Sequence, residues 1–498
     1  MNSYAIYVRV LVLTLLIKIG LAVWLPMSGD EAYFIVWAQH WALGYYDHPP
    51  MVGWMLALLG ELGHAQWLMR LPAVLASTLI GMLMYRMLAP QGERQAAITA
   101  ALFLVWPMSI LNVLITTDTP LILFVFLSVY MLVSATMRDK WQGYAWSGVW
   151  LGLAFLSKYF AVLLGLAYLV WFVFTSAGRK RWRGGVFVVM AALPAVAINV
   201  YWNMTHCWDN ILFNLYNRNV GEVFSWKNFQ LFMLTILYLT TPPALWVGWR
   251  AWQVKSAPNS ALYAIVFIVP MGFFMMLSLG KTIGLHWVLA FYPFYFLWLG
   301  SRVSEIALVK IYRFMRWFSA AHVALVLALL IAPAALWAHY YPRGYSGYVM
   351  LMQPQAVLMA LKPELSGFVL ATNDYSTSAV MAYHTRQRFI VYGLGSKHAR
   401  QDDMDTDFRD LNGRNIVVFD KSPTDRSLYT PYFAQVAQQV LRVNGAQFYI
   451  AKGYGFDYAA YRAGVLSEIK RKYYRIPNWL PVLQCYFCEK YFAQSGLK

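Results

Sequence analysis

Asp30-Glu31, Asp47-His48 and Asp118 are carboxylates and an imidazole able to exchange protons, and Lys158, Arg218, Lys227 and Lys281 are cations suited to a phosphate. Asp30 and Glu31 follow Ser28-Gly29 directly after an apolar run. A carboxylate at such a boundary is partly desolvated, which raises its pKa and makes it a usable base. On position alone, N-capping of the short helix that follows is the first reading for Asp30, and the two roles are compatible. In Asp47-His48-Pro49-Pro50 the prolines hold the residues before them extended, so the acid and imidazole are presented rather than packed. An ordinary interface turn is the alternative. Asp118 sits in Thr116-Thr117-Asp118-Thr119-Pro120, where Pro120 suits the first helical position and Thr119 the N-cap. The helix dipole there favours an ionised Asp118, and capping alone is the competing reading. Each cation by itself is a snorkelling side chain. Four on a face otherwise poor in Lys and Arg suggest a phosphate site, Arg218 acting through its planar fork and the lysines as point charges.

Metal chemistry has thin support. His48, His206 and His286 have Asp47 and Asp209 near them in sequence, yet no spacing resembles a compact zinc motif. His48 and Asp47 are the weak candidates, a divalent metal is left open, and no cofactor is firmly implied. Three cysteines do not make a disulfide framework, and Cys485 and Cys488 form a C-x-x-C that reads as structural, since a redox or zinc role needs partners the sequence does not offer.

The elements that must position these groups are membrane spans. The 498 residues are 60% hydrophobic and 12% charged, about half the charged fraction of a soluble protein. A span needs about 20 apolar residues. Apolar runs at 5–26, 67–88, 95–113, 119–137, 143–157, 159–176, 185–203, 229–249, 260–279, 284–300 and 317–338 predict about 11 spans, with 13 as the upper count. The first run is too long for a signal-peptide core and reads as a retained span. With the N-terminus cytoplasmic, the inner loops hold 14 basic residues, among them Arg179, Lys180, Arg181, Arg183 and Lys255. The outer loops hold only Lys158, Arg218, Lys227 and Lys281. Such asymmetry sets orientation and accounts for much of the formal net charge of +18, so nucleic acid is not an expected partner.

The expected division is a membrane domain over 1–340, with the acidic loop at 27–66, and an extracytoplasmic α/β domain over 341–498. Tyr33, Trp37, Trp41, Tyr45 and Tyr46 suit the loop to the interface. Residues 31–42 read as a short helix lying along the surface. In the tail, Phe368–Thr372, Phe389–Tyr392, Asn415–Phe419 and Gln447–Ala451 are strand-like, and Ser376–His384 and Tyr432–Val440 helix-like, which suggests a parallel or mixed sheet. Tyr461–Tyr474 is a basic amphipathic helix that lies on the membrane or packs on the sheet.

Gly29-Asp30-Glu31-Ala32-Tyr33, Gly44-Tyr45-Tyr46-Asp47-His48-Pro49-Pro50-Met51-Val52 and Arg70-Leu71-Pro72 closely resemble the start of GT-C class membrane glycosyltransferases. The branch is that of protein O-mannosyltransferases and the lipid A aminoarabinose transferase (glycosyltransferase families 39 and 83). Asp118, Ser157-Lys158, Lys281-Thr282 and His286-Trp287 extend the resemblance, as do Tyr375–Tyr383 and Leu411-Asn412-Gly413-Arg414 in the tail. It implies a multi-span α-helical fold of GT-C type in the bacterial inner membrane with a periplasmic C-terminal domain. It also implies inverting transfer of a sugar from a polyprenyl-phosphate donor to a lipid, glycan or protein acceptor. In that scheme Asp30 is the general base, with Glu31 beside it, and Asp118 orients acceptor or base. Lys158, Arg218 and Lys281 meet the phosphate, and Tyr46, Asp47, His48 and His286 contact substrate. The aminoarabinose transferase has Glu-Lys-Pro-Pro where this chain has Asp47-His48-Pro49-Pro50, and Asn214–Arg218 replaces its acid-histidine pairing. Both changes argue against copying aminoarabinose as the sugar.

Two other classes compete. A lipid-sugar transporter also gathers acids and cations, but near the bilayer midplane and often with inverted repeats, and none is seen here. An inactive anchor for the 341–498 domain does not explain the acid cluster.

Overall fold

The computed structural model describes residues 3–138, 140–219, 221–253, 259–396, 398 and 400–492; Lys255, one of the expected inner-loop cations, lies outside them. The chain forms two compact units, each described by itself.

The first unit comprises Met1–Leu25, Pro49–Ile198 and Gly221–Leu330. Among the described residues six helices are long and apolar enough to cross a membrane: Ser3–Trp24, Leu71–Leu88, Asp118–Arg138, Trp182–Thr205, Ser260–Leu277 and Glu305–Ile331. A seventh span counts if Trp226–Thr240 and Pro242–Ala251, bent by 85°, are one. The break falls at Thr241, whose φ of 64° precedes Pro242-Pro243, two residues without an amide to donate. The other runs expected to span form shorter apolar helices, so among the described residues six or seven of the eleven expected spans stand as long apolar helices. Each has a local cause. Residues 95–113 split at Trp106-Pro107 into Glu93–Leu104 and Pro107–Leu111. The polar pair Ser157-Lys158 divides Trp141–Phe155 from Val162–Phe174. Residues 284–300 become a 3-10 turn followed by Tyr292–Arg302.

Aromatic packing fills this unit. Trp106 stacks on Tyr292 at 5.2 Å and meets Phe296 edge-on. Arg70 is fully buried and donates to the carbonyls of Ala22 and Leu25 at 3.0 and 2.7 Å. It thus satisfies carbonyls at the C-terminal end of the first span, which explains a charge at Arg70-Leu71-Pro72.

The second unit comprises Pro26–His48, Asn199–Val220 and Ile331–Lys498. Its sheet has the order β2-β1-β3-β5-β4, with β1 at Val369–Thr372, β2 at Ile390–Val391, β3 at Ile416–Asp420, β4 at Phe433–Val443 and β5 at Ala446–Phe456. β1 runs parallel to β2 and β3, while β5 is antiparallel to β3 and β4, so the sheet is mixed. Helix Tyr375–Thr385 connects β1 to β2.

The helix expected at Tyr432–Val440 is instead β4. Phe433, Val436 and Val440 fall at helical spacings, but Asn444-Gly445 adopts positive φ at both positions. That turn dictates a two-residue hairpin and outweighs the local periodicity. The basic segment packs on the sheet: Tyr461, Val465, Leu466 and Ile469 are buried in its core. The cysteine reading also needs correction. Cys207 and Cys485 form a disulfide spanning 278 residues of sequence, and Cys488 is free.

Candidate active site

In the second unit the acidic loop folds as the helix Gly29–Ala38. Its cap is Ser28, not Asp30: the Ser28 hydroxyl accepts from the Glu31 amide, and the Glu31 carboxylate accepts from the Ser28 amide in return. This capping box fully buries Glu31, so Glu31 is a structural cap rather than a second base. Asp30 is released from capping and stays exposed. The Tyr375 hydroxyl donates to its Oδ1 at 2.9 Å. Burial, and next the Asp30 charge, push the Tyr375 phenol far up, so it remains a donor. Gly29 permits this approach, because a Cβ there would fall 2.8 Å from the Ser376 Cβ.

Asp47 is buried, where the proline corner was expected to present it. Pro49-Pro50 does shape the chain, but the Tyr33 hydroxyl covers the carboxyl, donating to Oδ1 at 3.0 Å. Asn214 donates to the Asp47 carbonyl at 3.0 Å. Desolvation raises the Asp47 pKa to about 7, opposed by the Tyr33 bond and, more weakly, by Arg218. Tyr46 is fully buried beside Phe213, and its amide donates to Gln401 at 3.1 Å. It anchors the corner rather than offering a surface. His48 is half-buried, with its ring 6.3 Å from Trp37.

A pH prediction follows. The unfolded Asp47 carboxyl titrates near 3.9, the folded one near 7. Below pH 4 both states hold the proton and burial carries no extra cost. As pH rises towards 7 the unfolded chain releases its proton first, so stability falls, by on the order of 4 kcal/mol at most. Asp47→Asn stays neutral and is expected to melt above wild type by a margin that widens from pH 5 to pH 8. A margin independent of pH in fluorimetric melts would refute the assignment.

In the first unit, Asp118 opens the helix Asp118–Arg138. Lys158 donates to both of its carboxylate oxygens, at 2.8 and 2.9 Å. The side chains are 8% and 5% exposed, so this is a buried, two-pronged ion pair and not a snorkelling lysine. His286 approaches the same carboxylate at 3.9 Å and is itself more than half exposed. Lys281 pairs with Glu222 at 3.2 Å and lies 5.9 Å from the Trp287 ring centroid. Asp118, Lys158 and His286 therefore come together, as do Lys281 and Glu222. Lys227 is exposed. Among the described residues no group of three His, Cys, Asp or Glu side chains gathers as a metal site, Asp47 and His48 included.

Reading single residues misses Tyr33, Tyr375, Gln401 and Glu222. Each is a partner found only through tertiary contact; the available signals are Tyr33 and Tyr375, which lie in segments that carry the resemblance.

Residues 47–202 match the model of the dolichyl-phosphate-mannose-protein mannosyltransferase family. The lipid A galacturonosyltransferase RgtD of Rhizobium johnstonii is 26% identical over 181 residues, 36% of this chain. The chain thus aligns with 38% of that relative's length. ArnT from Cupriavidus metallidurans bound to undecaprenyl phosphate superimposes with a TM-score of 0.64 at 16% identity, over 90% of this chain and 98% of that one. Its apo structure gives 0.62, over 90% and 97%. The chain thus shares the fold of ArnT along most of its length, and its match to the mannosyltransferase family lies at residues 47–202.

Proposed function

We propose that the chain transfers a monosaccharide from a polyprenyl-phosphate donor to a hydroxyl or phosphate of an envelope acceptor, with inversion at the anomeric carbon. The observation that carries this reading is Asp30: a capping box has freed its carboxylate, and a tyrosine fixes it. Asp30 takes the proton from the acceptor hydroxyl. The acceptor oxygen bonds to the anomeric carbon as the bond from that carbon to the phosphate oxygen breaks. The polyprenyl phosphate leaves with the electron pair, and cations lower the energy of the charge it gains. Lys158, held by Asp118, and His286, Lys281 and Arg218 are the groups for that task.

The names of the similar proteins support a lipid acceptor: one is a lipid A galacturonosyltransferase, and the other was crystallised with undecaprenyl phosphate. The description of the family at 47–202 favours a second reading, transfer to a protein hydroxyl. In both, the chain lies in the bacterial inner membrane with its N-terminus cytoplasmic and residues 341–498 periplasmic. The Cys207–Cys485 disulfide suits that oxidising compartment.

The test uses purified chain in nanodiscs with undecaprenyl phosphate carrying galacturonate, aminoarabinose or mannose, offered lipid A or a serine-rich peptide. Mass spectrometry is expected to find one donor consumed and undecaprenyl phosphate released in equal amount, with the sugar on lipid A. Sugar on the peptide selects the second reading. Intact donors that only change leaflet would make the chain a transporter.

A further inference from the structure

The second unit contains a cavity of about 310 Å³, lined by both polar and apolar side chains, that the transfer chemistry does not use. Helix Gly29–Ala38 and its continuation through His40 form one wall, helix Tyr375–Thr385 the other, and residues 386–391 and 401–405 close it. The volume lies at the lower end of small-molecule sites, about 300–1,000 Å³, and suits one sugar ring. Its polarity is sorted. Asp402 and Asp405, half-buried, line the inside. Asp402 accepts from the Val391 amide and the Thr406 hydroxyl and Asp405 from Gln401, which leaves lone pairs on each carboxylate. Arg386 and Arg388 stand exposed at the rim with His40, Arg388 donating to the Thr406 hydroxyl at 2.9 Å. Tyr33 and Tyr375 supply aromatic lining, and both donate their hydroxyls away from the cavity, to Asp47 and Asp30.

Hydroxyls donating inward to carboxylates, ring carbons against tyrosines and an anionic substituent between two guanidiniums describe a phosphorylated sugar. We propose that this cavity binds the phosphate-bearing sugar of the acceptor glycan. The assignment rests on the transferase reading in calling that sugar the acceptor's. Its walls are the two tyrosines that hold Asp30 and Asp47, so an occupied cavity steadies the base from behind. Tyr375 is then a positioning residue shared by recognition and proton transfer.

The experiment is saturation-transfer NMR on the full chain in nanodiscs, without donor and hence without turnover. Glucosamine 1-phosphate and glucosamine are the probes. The phosphorylated probe is expected to give ring-proton signals at least fivefold stronger than the neutral one. Arg386→Ala/Arg388→Ala should remove them and Arg386→Lys/Arg388→Lys largely retain them, with melting midpoints compared to exclude misfolding. Lipid A in the nanodisc should displace the probe. Signals that survive the alanine variant, or their absence in wild type, overturn the site. Undiminished signals with lipid A present overturn its acceptor role and leave a site for a free sugar phosphate. None of these outcomes bears on whether Asp30→Asn stops transfer, so this inference and the transferase reading fail separately.

Discussion

Asp30→Asn is expected to lower sugar transfer by at least 10²-fold, and towards 10⁴-fold, while the protein inserts and melts as wild type does. Loss of a positioned general base costs about that much. Asparagine keeps the shape and can still meet the Tyr375 hydroxyl, so the substitution removes proton affinity and little else. Asp30 is exposed and is not the helix cap, so loss of its charge removes only a first-turn dipole contact worth about 0.3–1 kcal/mol. Turnover of radiolabelled donor by purified protein is the measurement, and near wild-type rates would remove Asp30 as the base. Tyr375→Phe supplies the intermediate case: the base remains but loses its fixed orientation, so kcat falls less than in Asp30→Asn.

The second large effect concerns Asp118 and Lys158. Replacing Asp118 by Ala strands a buried ammonium, and breaking such a pair costs about 3–5 kcal/mol. Asp118→Ala should therefore melt well below wild type and lose activity. The decisive comparison is with the double variant Asp118→Leu/Lys158→Met, an apolar pair of similar volume. Removing both charges restores stability, because neither is left uncompensated. Activity should stay lost, because the cation offered to the leaving phosphate is gone. A double variant that is stable and active would make the pair purely structural; one as unstable as the single variant would contradict the burial argument.

The membrane character, the strands β1, β2, β3 and β5 and the helix Tyr375–Thr385 are legible in the sequence because each rests on local signals: apolar runs, β-branched clusters and flanking turns. Which runs form single unbroken helices is not. Mean apolarity does not distinguish one long helix from two short ones, and Trp106-Pro107 and Thr241-Pro242 decide that through backbone geometry. β4 escapes a reading of its own periodicity, because the Asn444-Gly445 turn that follows it decides its state. At the site, residue types are legible and their environments are not. Asp30 and Glu31 are neighbours in sequence, yet one is exposed and the other locked in a capping box. Asp47 reads as presented beside two prolines and is covered by Tyr33. Lys158 reads as a lone cation because its partner lies 40 residues earlier.

The bond between Cys207 and Cys485 imposes an order on biogenesis. Its second sulfur is made 278 residues after the first, so the clasp closes only after all the chain between Cys207 and Cys485 has been synthesised and both thiols have met an oxidant. Until then Cys207 waits as a thiol, open to the wrong partner, including Cys488 three positions beyond the right one. Yield of mature protein thus depends on the host's oxidase and isomerase as much as on its insertion machinery.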